Sequence, residues 1–594
     1  MQNAQTYLEV IRRRGERRLE LHRVYRHLKD RELFLLAYGK LYANTGALTP
    51  GTEVGDTIDG MSLRKIDAII EALNEGRYRW KPAHRIRIPK KNGDTRPLGI
   101  PSWSDKLLQE VLRMVLSAYY EPQFSEKSHG FRPGRGCHTA LTDIRRHWKG
   151  TQWFIEGDIR GCFDHIPHDK LLEVMGRKIK DERLMKLLRG LLDAGYLEDW
   201  KYHQTYSGVP QGGVLSPLLT NIFLNEIDTY IEQTLIPQNT RGDRRERNPE
   251  FARIEGNRQY AWKTHRLERY RQLTQDRRQI PSVNPNDPNY RRLEYCRYAD
   301  DFLLGFAGPK HEAETIKQQV ADALKALGLE LSESKTLITH ATDERARFLG
   351  YEIYVARCDT KITHGKRAIN GHVMFSVPAT VPRDWKAKVS KHNKPHHRTN
   401  LSIRSDFDIV TTYAVEFQGL VNYYTLAYDV AGKLYPVKYA YRVSLLKTLA
   451  HRHKRSVVWA YRRYKRISEE GVTAIVVEVP RKDKKPLVAK FGAKPIHYDS
   501  RAIIADEKKV IWPSRNELVR RLLAEECELC GSRQDIEVHH VRKLKDIQRR
   551  YQGRPNPPDW AIRLMELRRK TMVVCAKCHH RIHTGTYDGP RLTC

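Results

Sequence analysis

The chain has 594 residues, enough for several domains with sizeable cores, and sets 106 Lys and Arg against 71 Asp and Glu, a formal charge of +35. That excess calls for a polyanion, and since no apolar run approaches bilayer length and the cations are spread along the chain, nucleic acid is the expected partner and a membrane is not. Nine cysteines make no disulfide framework in so long a chain, and four of them form two C-x-x-C pairs near the C-terminus, which points to a reducing compartment and bound zinc; residues 1–41 carry no signal or transit peptide.

Residues 4–43 place Leu8, Ile11, Leu21, Val24, Leu28 and Leu35 at helical spacing between arginines, then residues 44–60 form a polar, Gly-rich loop and residues 61–76 resume a helix. Residues 85–101 alternate, turn at Asn92-Gly93 and alternate again, a β-hairpin with Lys90, Lys91 and Arg96 at its tip; such cations are solvated edges or fold over a triphosphate. A helix over 105–120 leads to Ser128-His129-Gly130-Phe131-Arg132-Pro133-Gly134-Arg135-Gly136, a glycine and arginine loop suited to close approach to a phosphate backbone.

A short apolar strand then ends on Asp158. Gly208-Val209-Pro210-Gln211-Gly212-Gly213 enters a helix capped by Ser216 and Pro217, with Gln211 and the loop amides able to face a nucleotide. Residues 236–293 are a basic stretch mixing arginines, Arg258 and Arg277 among them, with Tyr260, Trp262 and Tyr270, either a solvated charge-rich loop or a contact suited to RNA, and residues 255–274 read as helical. Next, Tyr298-Ala299-Asp300-Asp301 lies between two β-rich runs, a hairpin presenting acids at its tip. An Asp-Asp pair alone is usually a solvated turn. With Asp158 beside it, three carboxylates form a hard-oxygen site suited to Mg²⁺ held together with substrate phosphates, with room for two ions roughly 3.5–4 Å apart.

Beyond residue 354 the strand pattern ends. Two long helices are expected, over 407–428 and 436–464, with an aromatic and aliphatic stripe on one face and cations such as Lys447, Arg452, Arg455 and Arg462 on the other. Residues 478–515 read as an irregular basic linker. Cys527, Cys530, Cys575 and Cys578 have the spacing of a four-thiolate zinc site. Between and after them lie His539-His540 and His579-His580-Arg581-Ile582-His583, and the four-residue spacing puts His579 and His583 on one helix face, as metal ligands need.

Taken together, the Asp158 strand, the Pro210-Gln211-Gly212 loop, the Tyr298-Ala299-Asp300-Asp301 hairpin, Leu327-Gly328-Leu329 leading to Lys335, and Arg347-Phe348-Leu349-Gly350-Tyr351 resemble the polymerase core of a reverse transcriptase. Arg96-Pro97-Leu98-Gly99-Ile100-Pro101 and Gly130-Phe131-Arg132-Pro133-Gly134 are especially similar to group II intron-encoded proteins. The resemblance implies that Asp158, Asp300 and Asp301 bind two catalytic Mg²⁺ ions, that Phe163 excludes a 2′-hydroxyl by its volume, and that Lys335 protonates the leaving pyrophosphate. Lys90, Lys91 and Arg96 at the hairpin tip and Gln211 in its Gly-rich loop are the residues expected to contact dNTP or template. The C-terminal segment resembles an HNH endonuclease of the ββα-metal type, which implies His540 as general base and His539, His579 and His583 as ligands of a divalent cation. Where many such nucleases have a central asparagine, this chain has Lys570-Thr571; Glu537 is an extra ligand or simply a strand residue.

The expected fold is therefore multidomain α+β. An N-terminal helical extension (1–60) precedes right-hand polymerase fingers and palm with an antiparallel sheet (61–360, with the insertion at about 236–293). A helical thumb or maturase region (361–477), a basic DNA-binding linker (478–518) and a small zinc-stapled ββα-metal nuclease (519–594) follow. The function implied is an intron-encoded protein that binds group II intron RNA to promote splicing, nicks target DNA, and extends the nick with dNTPs by copying the RNA. Its expected setting is a bacterial cytoplasm or an organelle that encodes it, and no sequence feature fixes its oligomeric state. The rival is an RNA-binding splicing cofactor that keeps the polymerase fold as scaffold; clustered acids, which repel one another, are of no use to a scaffold.

Overall fold

The computed structural model describes residues 3–44, 46–53, 55–89, 93–199, 201–209, 212–284, 287–358, 371–481, 484–503, 517–551, 557–567 and 569–586. Lys90, Lys91 and Gln211 lie outside the described residues, as do residues 504–515 of the expected linker.

At the centre is a four-stranded antiparallel sheet in the order Ile338–His340, Trp153–Asp158, Asp301–Ala307, Arg292–Tyr298. Helices cover the sheet: Lys310–Ala326 packs against the middle strand Trp153–Asp158, and Cys137–His147 against the edge strand Arg292–Tyr298. Glycine makes one of these contacts possible, since a Cβ on Gly157 would lie 2.1 Å from the Phe302 ring across the ladder.

The N-terminal helices Ala4–Glu16 and Arg31–Leu41 bury Leu8, Ile11 and Leu35 against the long helix Trp103–Tyr120, as their spacing predicts. The basic hairpin forms in register, Ala83–Pro89 against Thr95–Ile100, with Arg96 exposed opposite Ile88.

The basic stretch before the acidic hairpin is not one helix over 255–274. Pro249–Lys263 and Leu267–Gln279 fold back on each other around Ile254, Ala261 and Leu273, and His265 takes a left-handed conformation in the turn between them. Glu255 ties the pair together, accepting from Arg258 at 2.6 Å and from Arg277 at 2.8 Å. Two of the cations expected to face RNA are thereby occupied within the protein, whereas Tyr260 and Trp262 remain exposed.

Strands continue past residue 354. Tyr351–Val355 pairs with Ala346–Phe348 on one side and Val373–Ser376 on the other. Leu349 and Gly350 both have positive φ, the two-residue turn that suits a twisted hairpin. This turn seats on the first helix of the following bundle, where the Tyr423 hydroxyl donates to the Leu349 carbonyl at 2.8 Å and that of Tyr424 to Gly350 at 3.1 Å. The bundle is Asp406–Tyr423, Val430–His453 and Val457–Tyr464. The second expected helix is therefore two, broken at Lys454 in left-handed backbone, and it starts at Val430 with Pro436 inside it.

The expected linker is also corrected. Thr473–Arg481 and Lys484–Phe491 are paired strands that pack on Asp406–Tyr423, so the boundary at 478 falls inside a strand. Pro480 suggested irregular chain, but it sits at a register shift between Val479 and Arg481, where a missing N–H costs no ladder bond.

The C-terminal domain builds the expected ββα arrangement, with Ile536–His540 antiparallel to Thr571–Cys575 and followed by the helix Ala576–Thr584. Its apolar residues share one continuous core with the N-terminal helices. No helix among the described residues is long and apolar enough to cross a membrane.

Candidate active sites

Asp158 closes its strand directly opposite Asp301, and Asp300 precedes Asp301 in the two-residue turn that joins Tyr298 to the return strand. Ala299 holds that turn with a φ of 58°, a left-handed conformation that costs an L-residue energy unless its surroundings enforce it. They do. Arg297 is fully buried and donates to Asp228 at 2.7 and 2.6 Å, to Asn221 at 3.1 Å and to the Ala299 carbonyl at 2.8 Å. The Tyr295 hydroxyl donates to Asp228 at 2.7 Å, and Asn221 donates to Gly130 at 2.9 Å. Gly130 needs to be glycine because a Cβ there would lie 2.4 Å from the Ala299 nitrogen.

The loop at 128–134 therefore braces the acidic turn. Arg132 is buried and donates to the Ser128 carbonyl at 2.7 Å and to Glu121 at 2.9 Å, and Arg135 pairs with Glu126. The expected phosphate contact by these arginines is corrected to a structural one: the guanidiniums satisfy carbonyls and carboxylates of the protein itself. Phe131, in contrast, is exposed and meets Phe163 edge to face with ring centroids 6.4 Å apart.

Lys335 reaches the same acids. The Ser332 N–H donates to the Asp158 carbonyl at 2.8 Å, which fixes the segment, and the Lys335 ammonium lies 2.8 Å from Asp158 Oδ2. Restricted hydration, then the charges of Asp300 and Asp158, push the Asp301 carboxyl above its ordinary range; Asp300 is raised by burial and by Asp158. Carboxylate oxygens are the donor type that suits a hard dication. Phe163 is half-buried on the turn after Asp158, and its carbonyl accepts from Val209 N–H at 2.7 Å, which joins the Gly-rich loop to it. Gly212 lies against the Gly99 carbonyl, where a Cβ would be 2.4 Å away, so the same loop also meets the basic hairpin.

The two tight clusters of metal-donor atoms among the described residues are both in or against the C-terminal domain. Cys527, Cys530, Cys575 and Cys578 bring their sulfurs within 4.8 Å of one another, a four-thiolate set that fits zinc. The second cluster holds the three expected histidines, His539, His579 and His583, and a residue that sequence reasoning missed, Asp59. Asp59 arrives because residues 60 and 61 pair with the Ile536–His540 strand: Gly60 N–H donates to Val538 at 3.0 Å and Val538 N–H to Met61 at 2.8 Å.

The His579 and His583 Nε2 atoms are 3.1 Å apart, and they lie 3.1 and 2.8 Å from the Asp59 oxygens. Glu537 resolves as neither a ligand nor a plain strand residue. It accepts from His579 Nδ1 at 2.7 Å and so aims Nε2 into the cluster. Burial works against charge on His579, but Asp59 and Glu537 outweigh it and raise its pKa to about 9.

His540 is placed differently. It is buried, and its Nε2 lies 2.9 Å from the Tyr38 hydroxyl of the N-terminal region, while its backbone N–H donates to Asp59 at 2.7 Å. Burial, joined by neighbouring cations, depresses its pKa to about 3. Thr571 stands opposite His540 in the ladder, and its hydroxyl is taken by Arg521 at 3.0 Å.

Family models match three segments: "Reverse transcriptase (RNA-dependent DNA polymerase)" over residues 88–353, "Type II intron maturase" over 383–492 and "AI2M/AI1M-like, HNH endonuclease" over 527–579. The group II intron-encoded protein LtrA of Lactococcus lactis is 37% identical over 617 residues, covering 98% of this chain and 100% of that protein. The chain belongs to the group II intron-encoded proteins. The putative COX1/OXI3 intron 1 protein of Saccharomyces cerevisiae is 31% identical over 94% of this chain and 69% of its own length, and Protein YkfC of Escherichia coli is 33% identical over 56% and 84%. This group II intron-encoded protein thus combines reverse transcriptase, maturase and HNH endonuclease domains, and its expected enzyme classes are borne out. The maturase match reaches residue 492, in keeping with strands where a linker was expected.

Proposed function

We propose that this protein copies intron RNA into DNA at the acidic end of the central sheet, primed by a DNA strand that its C-terminal domain has cut. The observation that carries this reading is the placement of Asp158 across from Asp301, with Asp300 in the adjoining turn and the Lys335 ammonium 2.8 Å from Asp158.

The reading assigns the central sheet to the palm of a right-hand polymerase, the Ala83–Ile100 hairpin to its fingers and the bundle after residue 406 to its thumb. Asp158, Asp300 and Asp301 would hold two Mg²⁺ ions. Such a pair lowers the proton affinity of the primer 3′-hydroxyl and stabilises the charge that develops at phosphorus. Lys335 holds a proton within reach of the leaving pyrophosphate, and its attachment to Asp158 sets its position. Phe163 presents its ring where a 2′-hydroxyl would clash. Arg96, with Lys90, Lys91 and Gln211, contacts the incoming dNTP or the template. The fixed arrangement of these groups supplies catalysis by position and electrostatics.

The bundle and the basic helix pair Pro249–Lys263 and Leu267–Gln279 bind intron RNA, with Tyr260 and Trp262 exposed for stacking. In the nuclease, His539, His579 and His583 would hold a divalent cation, which would supply Lewis-acid polarisation of the scissile phosphate; His540 would take the proton from water, and the four thiolates would hold zinc that staples the domain. The setting is a bacterial cytoplasm or an organelle.

Full-length protein bound to its intron RNA, given labelled target DNA and dNTPs, tests the sequence of events. His540→Ala should leave the DNA strand uncut while extension of a supplied primer continues. Asp300→Ala should leave the strand cut and unextended. If Asp300→Ala still yields complementary DNA, the polymerase assignment is wrong and the splicing-scaffold reading gains.

A further inference from the structure

We infer that Asp59, from the N-terminal region, is the fourth donor to the nuclease cation, and that in this arrangement it stands where the scissile phosphate must bind. The inference rests on the reading of His539, His579 and His583 as cation ligands and goes beyond it.

Geometry comes first. A cation bound by four N and O donors at about 2.0–2.1 Å in a tetrahedron separates neighbouring donors by about 3.3–3.4 Å. The separations here are 3.1 Å between the Nε2 atoms of His579 and His583, 3.1 Å from His579 Nε2 and 3.5 Å from His539 Nδ1 to Asp59 Oδ1, and 2.8 Å from His583 Nε2 to Asp59 Oδ2. One donor atom from each of the four residues lies within 4.8 Å of the other three, a convergence that a chance ion pair on one histidine does not produce.

A second observation is independent of those distances. The His539 side chain is only 5% exposed, and neither of its ring nitrogens makes a hydrogen bond. A buried imidazole with both nitrogens unmet is costly, and a cation among its neighbours would satisfy one of them. Asp59 itself is held in place by the chain, through the pairing of residues 60 and 61 with Val538 and through the His540 N–H.

Closure has a consequence for cleavage. A catalytic cation site keeps a position open for water or substrate, whereas four protein donors fill a tetrahedral site. Tyr38 meanwhile engages His540 Nε2, and Arg64 pairs with Asp535 at the start of the Ile536–His540 strand. Cation, base and strand are thus all tied to the N-terminal region. The nuclease is latched shut here, and cleavage requires residues 59–61 to withdraw as DNA enters.

The test uses full-length, zinc-loaded protein titrated with Co²⁺, whose visible absorption reports histidine coordination and its geometry. Asp59→Asn and Asp59→Ala should weaken Co²⁺ binding at this site by about ten-fold or more and lower the intensity of the band as coordination opens. Nicking of a target duplex at saturating Co²⁺ should rise in the same variants. Zinc content and circular dichroism equal to those of the unaltered protein establish that the variants fold. Unchanged Co²⁺ affinity and spectrum in both variants would overturn the inference, as would weakened binding accompanied by slower nicking. A band that survives His579→Ala overturns the three-histidine reading itself, an outcome separate from either.

Discussion

Asp158 and Asp301 meet on neighbouring strands of one sheet, near the surface and beside a lysine that balances part of their charge. The histidine cluster has His539 and His579 buried and His583 exposed, and its carboxylate comes from 481 residues earlier in the chain than the strand it binds. The first centre is braced by Arg297, which holds both Asp228 and the Ala299 carbonyl of the acidic turn. The second is built from two parts of the protein that must separate before a duplex can reach it. On the proposed reading, the acidic site lies within one sheet of the protein, while the nuclease site is completed by a carboxylate from outside its own domain.

The largest expected effect falls on the acidic centre. Asp301→Asn should reduce primer extension on an RNA template by at least roughly a hundred-fold, because it removes a charged donor aimed at the reacting phosphate, and nicking should be unaffected. A variant that loses both activities would break the comparison, since the two centres would then not be independent. Next in size is the zinc staple. Cys578→Ser should abolish nicking and leave extension of a supplied primer largely intact, because the four thiolates all lie within the C-terminal domain. Loss of extension as well would show that the core shared with the N-terminal helices matters more than the boundary between the domains.

Arg297→Met should cost about 3–5 kcal/mol in urea unfolding, since it leaves the fully buried Asp228 carboxylate without its partner. The same change should slow extension through the loosened Ala299 turn and leave Co²⁺ binding to the histidines unchanged. A smaller effect comes from His129, whose backbone joins the Arg297 strand and whose imidazole burial and the nearby Arg135 depress to about 4. The unfolded chain takes up this proton near pH 6.5 and the folded one only near 4, so stability is full above 6.5 and declines as the pH falls toward 4, by about 3 kcal/mol in all. His129→Gln should flatten that part of the pH profile of unfolding.

Local chemistry was legible in the sequence wherever a few consecutive residues carry it. The acidic hairpin, the strand ending on Asp158 and the two C-x-x-C pairs each form where their patterns place them. What escaped depends on contacts across the chain. Nothing in a Gly-rich loop marks Asp59 as a partner of His583, and nothing in an apolar helical stripe marks Tyr38 as the one that reaches His540, 502 residues on. Composition also cannot tell whether an arginine meets a phosphate or a carbonyl of its own protein, which is why Arg132 and Arg258 read as ligands for nucleic acid and turn out to hold loops and helices together. Proline misled in both directions: Pro436 lies inside a helix expected to start there, and Pro480 lies in a strand expected to be irregular.

The central claim is that Asp158 and Asp301 share a pair of divalent ions. Anomalous diffraction from crystals grown with Mn²⁺, an RNA–DNA primer-template and a non-hydrolysable dNTP measures this directly. Two manganese peaks roughly 3.5–4 Å apart, both touching Asp158 and Asp301, are the predicted result. A primer-template and nucleotide bound with no manganese on either aspartate would contradict it.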